Sequence, residues 1–256
     1  MGNLLPDPFR LDGKVVLVTG AARGIGRAVA LAVAAAGGSV YAVDVRRPEL
    51  DETGVLLGSG HVTEVFDLTE TGRMAGLCRD VEAGLGSLDA LAHVAGVIHR
   101  RNDIFEVTEE EFDEQVAVNL KATFFLDVEV ARVMRQAGRP GSIVNFSSQG
   151  WWTGGFGGST VYAATKGGVV SLTRGLARTL AKDHVRVNAV APGGVETAMM
   201  HDGLDDEARA KFIEQVPLGR LAETHEIAWV VVFLLSEASS YMTGATLNVS
   251  GGQLSY

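Results

Sequence analysis

The chain has one cysteine, Cys78, in 256 residues, together with 6 prolines and 3 tryptophans. A single thiol cannot build an internal disulfide framework or a cysteine-based zinc site, and it suits a reducing, cytoplasmic location. Basic residues are also short, with 22 Lys+Arg against 31 Asp+Glu and a net charge of −9. That balance argues against nucleic acid or an anionic membrane as partner. Long hydrophobic runs are missing as well. The stretch Ala28 to Val43 is uncharged, but Gly37-Gly38-Ser39 interrupts it and it falls short of the ~20 residues a spanning helix needs. Asp7, Arg10, Asp12 and Lys14 leave no apolar segment for a signal peptide in the opening residues. The histidines show no pair four apart and no neighbouring thiolates, so no metal site is expected.

Glycine is the abundant residue, at 32 positions, in a chain that is 46% hydrophobic and 21% charged. Such a composition is globular, and the length suffices to bury a core without covalent staples. Residues 1–13 read as a polar lead-in and 14–256 as one domain. Seven short apolar runs follow one another: Val15–Val18, Val40–Val43, Val62–Phe66, Leu88–Ala92, Ser142–Phe146, Val185–Val190 and Thr246–Val249. Helix-length, Ala-rich segments separate most of them. The pattern predicts an α/β, doubly wound parallel sheet of about seven strands with helices on both faces. Several runs are almost continuously apolar, as strands buried on both faces require. Thr108 followed by Glu109-Glu110-Glu111 reads as a capping box at a helix start. Ala228–Leu235 reads as a buried helix or an oligomer face.

The first run leads into Thr19-Gly20-Ala21-Ala22-Arg23-Gly24-Ile25-Gly26 and then a helix. Glycines at a strand-to-helix turn let backbone N–H groups approach a pyrophosphate at the helix N-terminus. Asp44 closes the second run, where a carboxylate can accept hydrogen bonds from a ribose diol and repel a 2′-phosphate. Arg23, Arg46 and Arg47 lie near the same place and suit a phosphate. The balance favours NAD over NADP, with NADP still open. Further along, Tyr162 and Lys166 are four apart and so share one face of a helix running to about Asp183. A free phenol titrates near ~10, and an adjacent ammonium favours its ionised form, bringing it toward a working acid–base range.

Glycine loop, Asp44 and the Tyr162/Lys166 pair together resemble the short-chain dehydrogenase/reductase family from Leu11 to Gly252. Asp67, Asn119, the strand ending Ser147-Ser148, the segment Pro192–Thr197 and the closing Thr243–Gly252 extend the match. The resemblance implies a Rossmann-type fold and an NAD(P)-dependent enzyme, commonly a homotetramer or dimer. It implies Tyr162 as proton donor or acceptor, Lys166 as the residue lowering its pKa and holding the nicotinamide ribose, and Ser148 as orienter of the substrate oxygen. Asn119 would position a water beside Lys166. Gly20, Arg23, Gly24, Ile25 and Gly26 would line the pyrophosphate and Asp67 the adenine. Ala95, Gly96, Pro192, Gly193, Val195 and Thr197 would complete the cofactor pocket.

Three departures stand out. His93-Val94-Ala95-Gly96 replaces the family's Asn-Asn-Ala-Gly, and His93 is expected to be a satisfied structural histidine. Ser148 precedes Tyr162 by one residue more than usual, which places the extra residue in Gly154–Gly158 and keeps Ser147 as fallback. Ser250 replaces a common Asp. Trp151 and Trp152 follow the serine and are expected either to border the substrate or to pack the loop or a subunit interface. His99-Arg100-Arg101 and Met199–Asp205 could meet a substrate carboxylate. The expected activity is NAD(H)-favouring interconversion of a secondary alcohol and a ketone on a polyol, sugar acid or other small hydroxy compound. The alternatives are an NADPH-dependent 3-oxoacyl-thioester reductase and an inactive nucleotide-sensing or scaffold protein.

Overall fold

A computed structural model describes residues 7–202 and 205–254. The strands are β1 (Val15–Thr19), β2 (Ser39–Asp44), β3 (Val62–Val65), β4 (Ala90–His93), β5 (Gly141–Phe146), β6 (Val185–Pro192) and β7 (Thr246–Val249). They form one sheet, ordered β3-β2-β1-β4-β5-β6-β7, with every pairing parallel. The order reverses beside β1. A doubly wound sheet opens a crevice at such a reversal, because the helices after β1 and β4 leave on opposite faces.

Alternation along the strands divides the core in two. Val16 and Val18 of β1, Val40 and Ala42 of β2, and Ala90 and Ala92 of β4 face α1 (Gly24–Ala35) and, later in the chain, α10 (Thr224–Leu235). Val15, Leu17, Tyr41, Val43 and Leu91 point the other way. There they meet α3 (Met74–Leu85), α5 (Ala122–Ala137) and α7 (Thr160–Leu180). Both sets are buried, so β1, β2 and β4 read as apolar runs and not as alternating ones. Of the apolar run Ala228–Leu235, five side chains (Ala228, Val231, Val232, Leu234 and Leu235) are core residues, while Trp229 is exposed. Leu11 in the lead-in is buried too, its N–H donating to Ala36 O at 2.9 Å.

The remaining helices are α2 (Arg47–Leu57), α4 (Glu109–Val116), α6 (Gly150–Thr153), α8 (Ala198–His201) and α9 (Asp206–Glu214). Thr108 and Glu111 make the expected capping box at the start of α4. Between α4 and α5 the helix loosens into a π turn over Ala117–Lys121. Such turns insert one extra residue and redirect a side chain, here Asn119. Met200, Phe212, Val216 and Leu221 form a small third core above the sheet's carboxyl edge.

One interior group is out of keeping with its surroundings. Asp127 on α5 has no exposure; Asn145 Nδ2 donates to its Oδ2 at 2.7 Å, and its Oδ1 has no partner among the described residues. Burial pushes its pKa up from 3.8 to about 8, with Asn145 opposing. The folded protein therefore holds a proton that the unfolded chain releases above about pH 4. The resulting loss of stability is absent at lower pH and grows until pH reaches about 8. Asp127→Asn should raise the melting temperature over the parent by an increment that grows by a few degrees between pH 5 and pH 8. Thermal unfolding with a pH-independent difference would assign the raised pKa to the wrong group.

Candidate active site

The glycine loop occupies the crevice. Gly20 adopts φ +69°, and a Cβ there would lie 2.8 Å from Ala95 Cα. A Cβ on Gly26 would lie 1.9 Å from Gly20 O, so α1 starts as close to the end of β1 as a backbone permits. No side chain caps the start of α1 among the described residues, which leaves its first N–H groups suited to an anion. Asp44 braces this turn: its Oδ2 accepts from Ala22 N and its Oδ1 from Arg46 N, both at 3.0 Å. Asp67 forms a turn of its own, accepting from Thr69 N and Oγ1 at 2.8 Å.

A cavity of about 700 Å³ runs from this loop across the carboxyl edge of the sheet. Its wall includes Gly20, Arg23, Gly24, Ile25, Gly26, Asp44 and Asp67 at one end. Ala95, Gly96, Ser148, Tyr162, Lys166, Pro192, Gly193, Val195 and Thr197 line the rest. Arg46 also reaches the wall, whereas Arg47 does not and lies 4.0 Å from Asp51. The glycine cradle admits no side chain, and the volume lies within the usual range for cofactor sites. The residues present therefore fit a dinucleotide.

At the other end, β5 and α7 set the geometry. Ala163, Lys166, Val170, Thr173 and Ala177 recur at helical spacing and bury one face of α7 against the sheet. Lys166 goes in with that face and is only 3% exposed. Its Nζ donates to Phe146 O, the last carbonyl of β5, at 2.8 Å, and lies 5.5 Å from the Tyr162 ring centroid. Burial pulls its pKa down to about 8. Ser147 and Ser148 follow β5 and diverge. Ser147 Oγ is buried and donates to Lys166 O at 3.0 Å, while Ser148 Oγ accepts from Gly150 N at 3.1 Å and lines the cavity with Tyr162. The glycine-rich stretch Gly154–Gly158 lies between α6 and α7, beyond the strand end.

Tyr162 departs from the simple expectation. Burial pushes its phenol up to about 12, and the contributions that oppose the rise come from Ser148 and from Arg100. Lys166 does not hold it low here, because its ammonium is turned to the Phe146 carbonyl. The phenol is thus a neutral donor at physiological pH.

Four further residues, Asn119, Trp151, Trp152 and His93, lie outside the cavity wall. Asn119 is fully buried behind the cavity wall and does not line it. Its Oδ1 accepts from Val97 N at 2.9 Å and its Nδ2 donates to Val97 O and Thr165 Oγ1, clamping the segment after β4 to α7. Trp151 and Trp152 do not line the cavity either; they stack edge to face at 5.2 Å, with Trp152 58% exposed. Gln149, Gly150, Thr153 and Phe156 of the same stretch line it instead. The short α6 turns both indoles away from the crevice. His93 is not a satisfied histidine, for neither ring nitrogen has a partner among the described residues. Its register neighbours Thr19 and Asn145 spend their bonds on Ala95 and on Asp127 with Thr173. Burial, with Lys166 adding to it, drives the imidazole down to about 3, so it stays neutral.

Sequence reasoning singled out Met199–Asp205 but missed Phe212 and the roof it completes. Phe156 and Phe212 meet edge to face at 5.2 Å and, with Met199 and Met200, close the cavity from above. They come from three separate segments, and no spacing in the chain links them.

A nucleotide cradle at the sheet reversal and a Ser–Tyr–Lys cluster on one cavity define a dinucleotide-dependent oxidoreductase class of α/β protein. Residues 20–253 match the family model described as Enoyl-(Acyl carrier protein) reductase. The chain is 37% identical over 244 residues to the 3-oxoacyl-(acyl-carrier-protein) reductase FabG of Escherichia coli, covering 95% of this chain and 98% of that one. It is 34% identical over 258 residues to the (3R)-3-hydroxyacyl-CoA dehydrogenase of Canis lupus familiaris, covering 97% and 99%. A crystal structure from Agrobacterium tumefaciens superposes with a TM-score of 0.88 at 38% identity, covering 96% and 98% of the two chains. That protein is provisionally assigned as a 2-deoxy-d-gluconate 3-dehydrogenase and holds NADP. The chain belongs to the short-chain dehydrogenase/reductase family.

Proposed function

We propose that this protein is an NAD(H)-preferring, cytoplasmic dehydrogenase that interconverts a secondary alcohol and a ketone on a small hydroxy compound such as a polyol or sugar acid. The observation that carries this reading is the convergence of Ser148, Tyr162 and Lys166 on the one cavity that the glycine loop begins. Bound NAD(P) supplies the hydride acceptor or donor. Gly20, Arg23, Gly24, Ile25 and Gly26 would hold its pyrophosphate, Asp44 and Asp67 its adenosine half. Ala95, Gly96, Pro192, Gly193, Val195 and Thr197 would hold the nicotinamide half, with Lys166 at the ribose.

The protein's own part is proton transfer and orientation. Ser148 donates to the substrate oxygen and aims it at Tyr162 Oη. In reduction Tyr162 gives its proton to that oxygen; in oxidation it takes the proton back. Asn119 is a positioning residue, since its contacts fix Val97 and Thr165 and through them the wall facing Lys166. General acid–base catalysis contributes roughly 10²–10⁴-fold, so Tyr162→Phe should lower turnover by that factor while leaving the circular dichroism spectrum unchanged. In the parent, kcat/KM for ketone reduction should hold level below about pH 8 and fall above it, as Lys166 loses its charge. Near-parental turnover in the phenylalanine variant would end the proposed chemistry.

Cofactor preference rests on Asp44. Its two oxygens are held by backbone N–H groups, so the carboxylate cannot swing away from a 2′-phosphate. Fluorescence titration should show tighter binding of NADH than NADPH, and Asp44→Ala should narrow the ratio by ~tenfold or more. Preference for NADPH in the parent would move the weight to Arg23 and Arg46. It would also favour the second reading, an NADPH-dependent 3-oxoacyl-thioester reductase, to which the Escherichia coli reductase and the dog 3-hydroxyacyl-CoA dehydrogenase lend equal support as relatives.

Assembly is read from the surface. Phe112 on α4, Phe124 and Phe125 on α5 and Trp229 on α10 are all more than a third exposed. Apolar helix faces of this kind suit burial between copies, and a homotetramer is proposed. Light scattering at micromolar concentration should give the mass of four chains; a monomer would refute it.

A further inference from the structure

Three consecutive basic side chains follow β4, and they meet different fates. His99 Nε2 lies 2.8 Å from Glu114 Oε2, and Arg101 pairs with Glu111, so both face acids of α4. Arg100 stands between them and lines the cavity instead. Its Nη1 donates to Met199 O at 3.0 Å and to Asp202 O at 2.6 Å, the carbonyls that flank the end of α8. Its Nε is buried without a hydrogen-bond partner, and no carboxylate lies within 4 Å of the guanidinium among the described residues. Carbonyl dipoles orient a guanidinium but leave its charge uncompensated, and a buried donor left unpaired is costly.

The other charged groups at this end of the cavity are committed. Glu114 is held by His99, and Glu196 by Arg209 at 2.5 Å and His201 at 3.1 Å. Lys166 is turned to Phe146 O. The groups that answer the Arg100 charge electrostatically are the Tyr162 phenol and Asp202, against the larger effect of burial. Among the described residues Arg100 is therefore a cation without a carboxylate partner, on the cavity wall it shares with Tyr162. A guanidinium presents a planar fork that matches a carboxylate, and such pairs gain most where water is scarce.

We infer that Arg100 binds a carboxylate carried by the substrate a few atoms from its reacting carbon, and so selects hydroxy and keto acids. This rests on the dehydrogenase reading above and narrows its substrate class. A thioester is neutral beside its ketone and brings no anion to this position. A phosphate on a long carrier arm would lie too far from Tyr162 to use it.

Calorimetry tests this with alcohols that cannot turn over once NADH is bound. D-Gluconate and D-gluconamide form one pair, (R)-3-hydroxybutanoate and its amide the other. In the parent–NADH complex at least one acid should bind ~30-fold or more tightly than its amide. Arg100→Gln should reduce that ratio to within ~3-fold by weakening the acid alone, and Arg100→Lys should keep part of it. Equal weakening of acid and amide in Arg100→Gln would mean that the residue only braces α8 through Met199 and Asp202, and would overturn the inference. So would equal binding of acids and amides by the parent, or no binding of either acid. Failure of NADH itself to bind would instead strike the dehydrogenase reading, which separates the two outcomes.

Discussion

A primary amine buried at 3% exposure has to be compensated, and Lys166 finds its partner in the last carbonyl of β5. That bond joins α7 to the strand end where Ser147 and Ser148 emerge, and Ser147 returns a second bond to the Lys166 carbonyl. The two contacts set the rotation of α7 about its axis. Tyr162, one turn earlier on the same helix, is thereby brought to the cavity wall that Ser148 also lines. Asn119 closes the frame from the opposite side by tying the segment after β4 to Thr165 of α7. A change in any one of these buried bonds would move the phenol relative to the cavity that begins at the glycine loop.

The same burial that fixes the geometry shapes the proton chemistry. Desolvation acts with opposite sign on an acid and on an ammonium, so it raises Tyr162 to about 12 and lowers Lys166 to about 8. The two groups, which start close together at 10.0 and 10.5, move apart, so the amine gives up its proton before the phenol does. Ser148 and Arg100 pull the phenol part of the way back. Arg100 thus serves the phenol and, on the inference above, the substrate through one charge. Its tether to the carbonyls at the end of α8 links that charge to the roof formed by Phe156, Phe212 and Met200.

Three polar side chains are buried together against one face of the sheet. His93, Asp127 and Asn145 lie under the same face, and each has a buried polar atom without a partner among the described residues. The imidazole stays neutral and the carboxylate binds its proton unusually tightly, because neither can carry charge so far from water. Stability is spent here in a way that apolar side chains would avoid.

The sheet, its seven strands and the crevice-side glycine loop were legible in the chain alone. Their signals are local: apolar runs of strand length, glycines where a Cβ would overlap backbone, and Tyr162 and Lys166 one helical turn apart. The choice between Ser147 and Ser148 was not local. It depends on which hydroxyl the Lys166 carbonyl captures across 19 residues of chain. The π turn that buries Asn119 has no sequence signature, because it is imposed by packing between helices. Trp151 and Trp152 looked suited to a substrate wall, yet the four-residue helix after β5 turns them outward and leaves Phe156 to pair with Phe212. Arg100 differs from His99 and Arg101 only in where its neighbours stand. Composition and short-range spacing determined the fold and the cofactor loop, since those depend on burial and backbone sterics. Which charge stays unpaired beside Tyr162 was decided by tertiary contacts, since it depends on acids of α4 and carbonyls of α8 that the chain brings together only on folding.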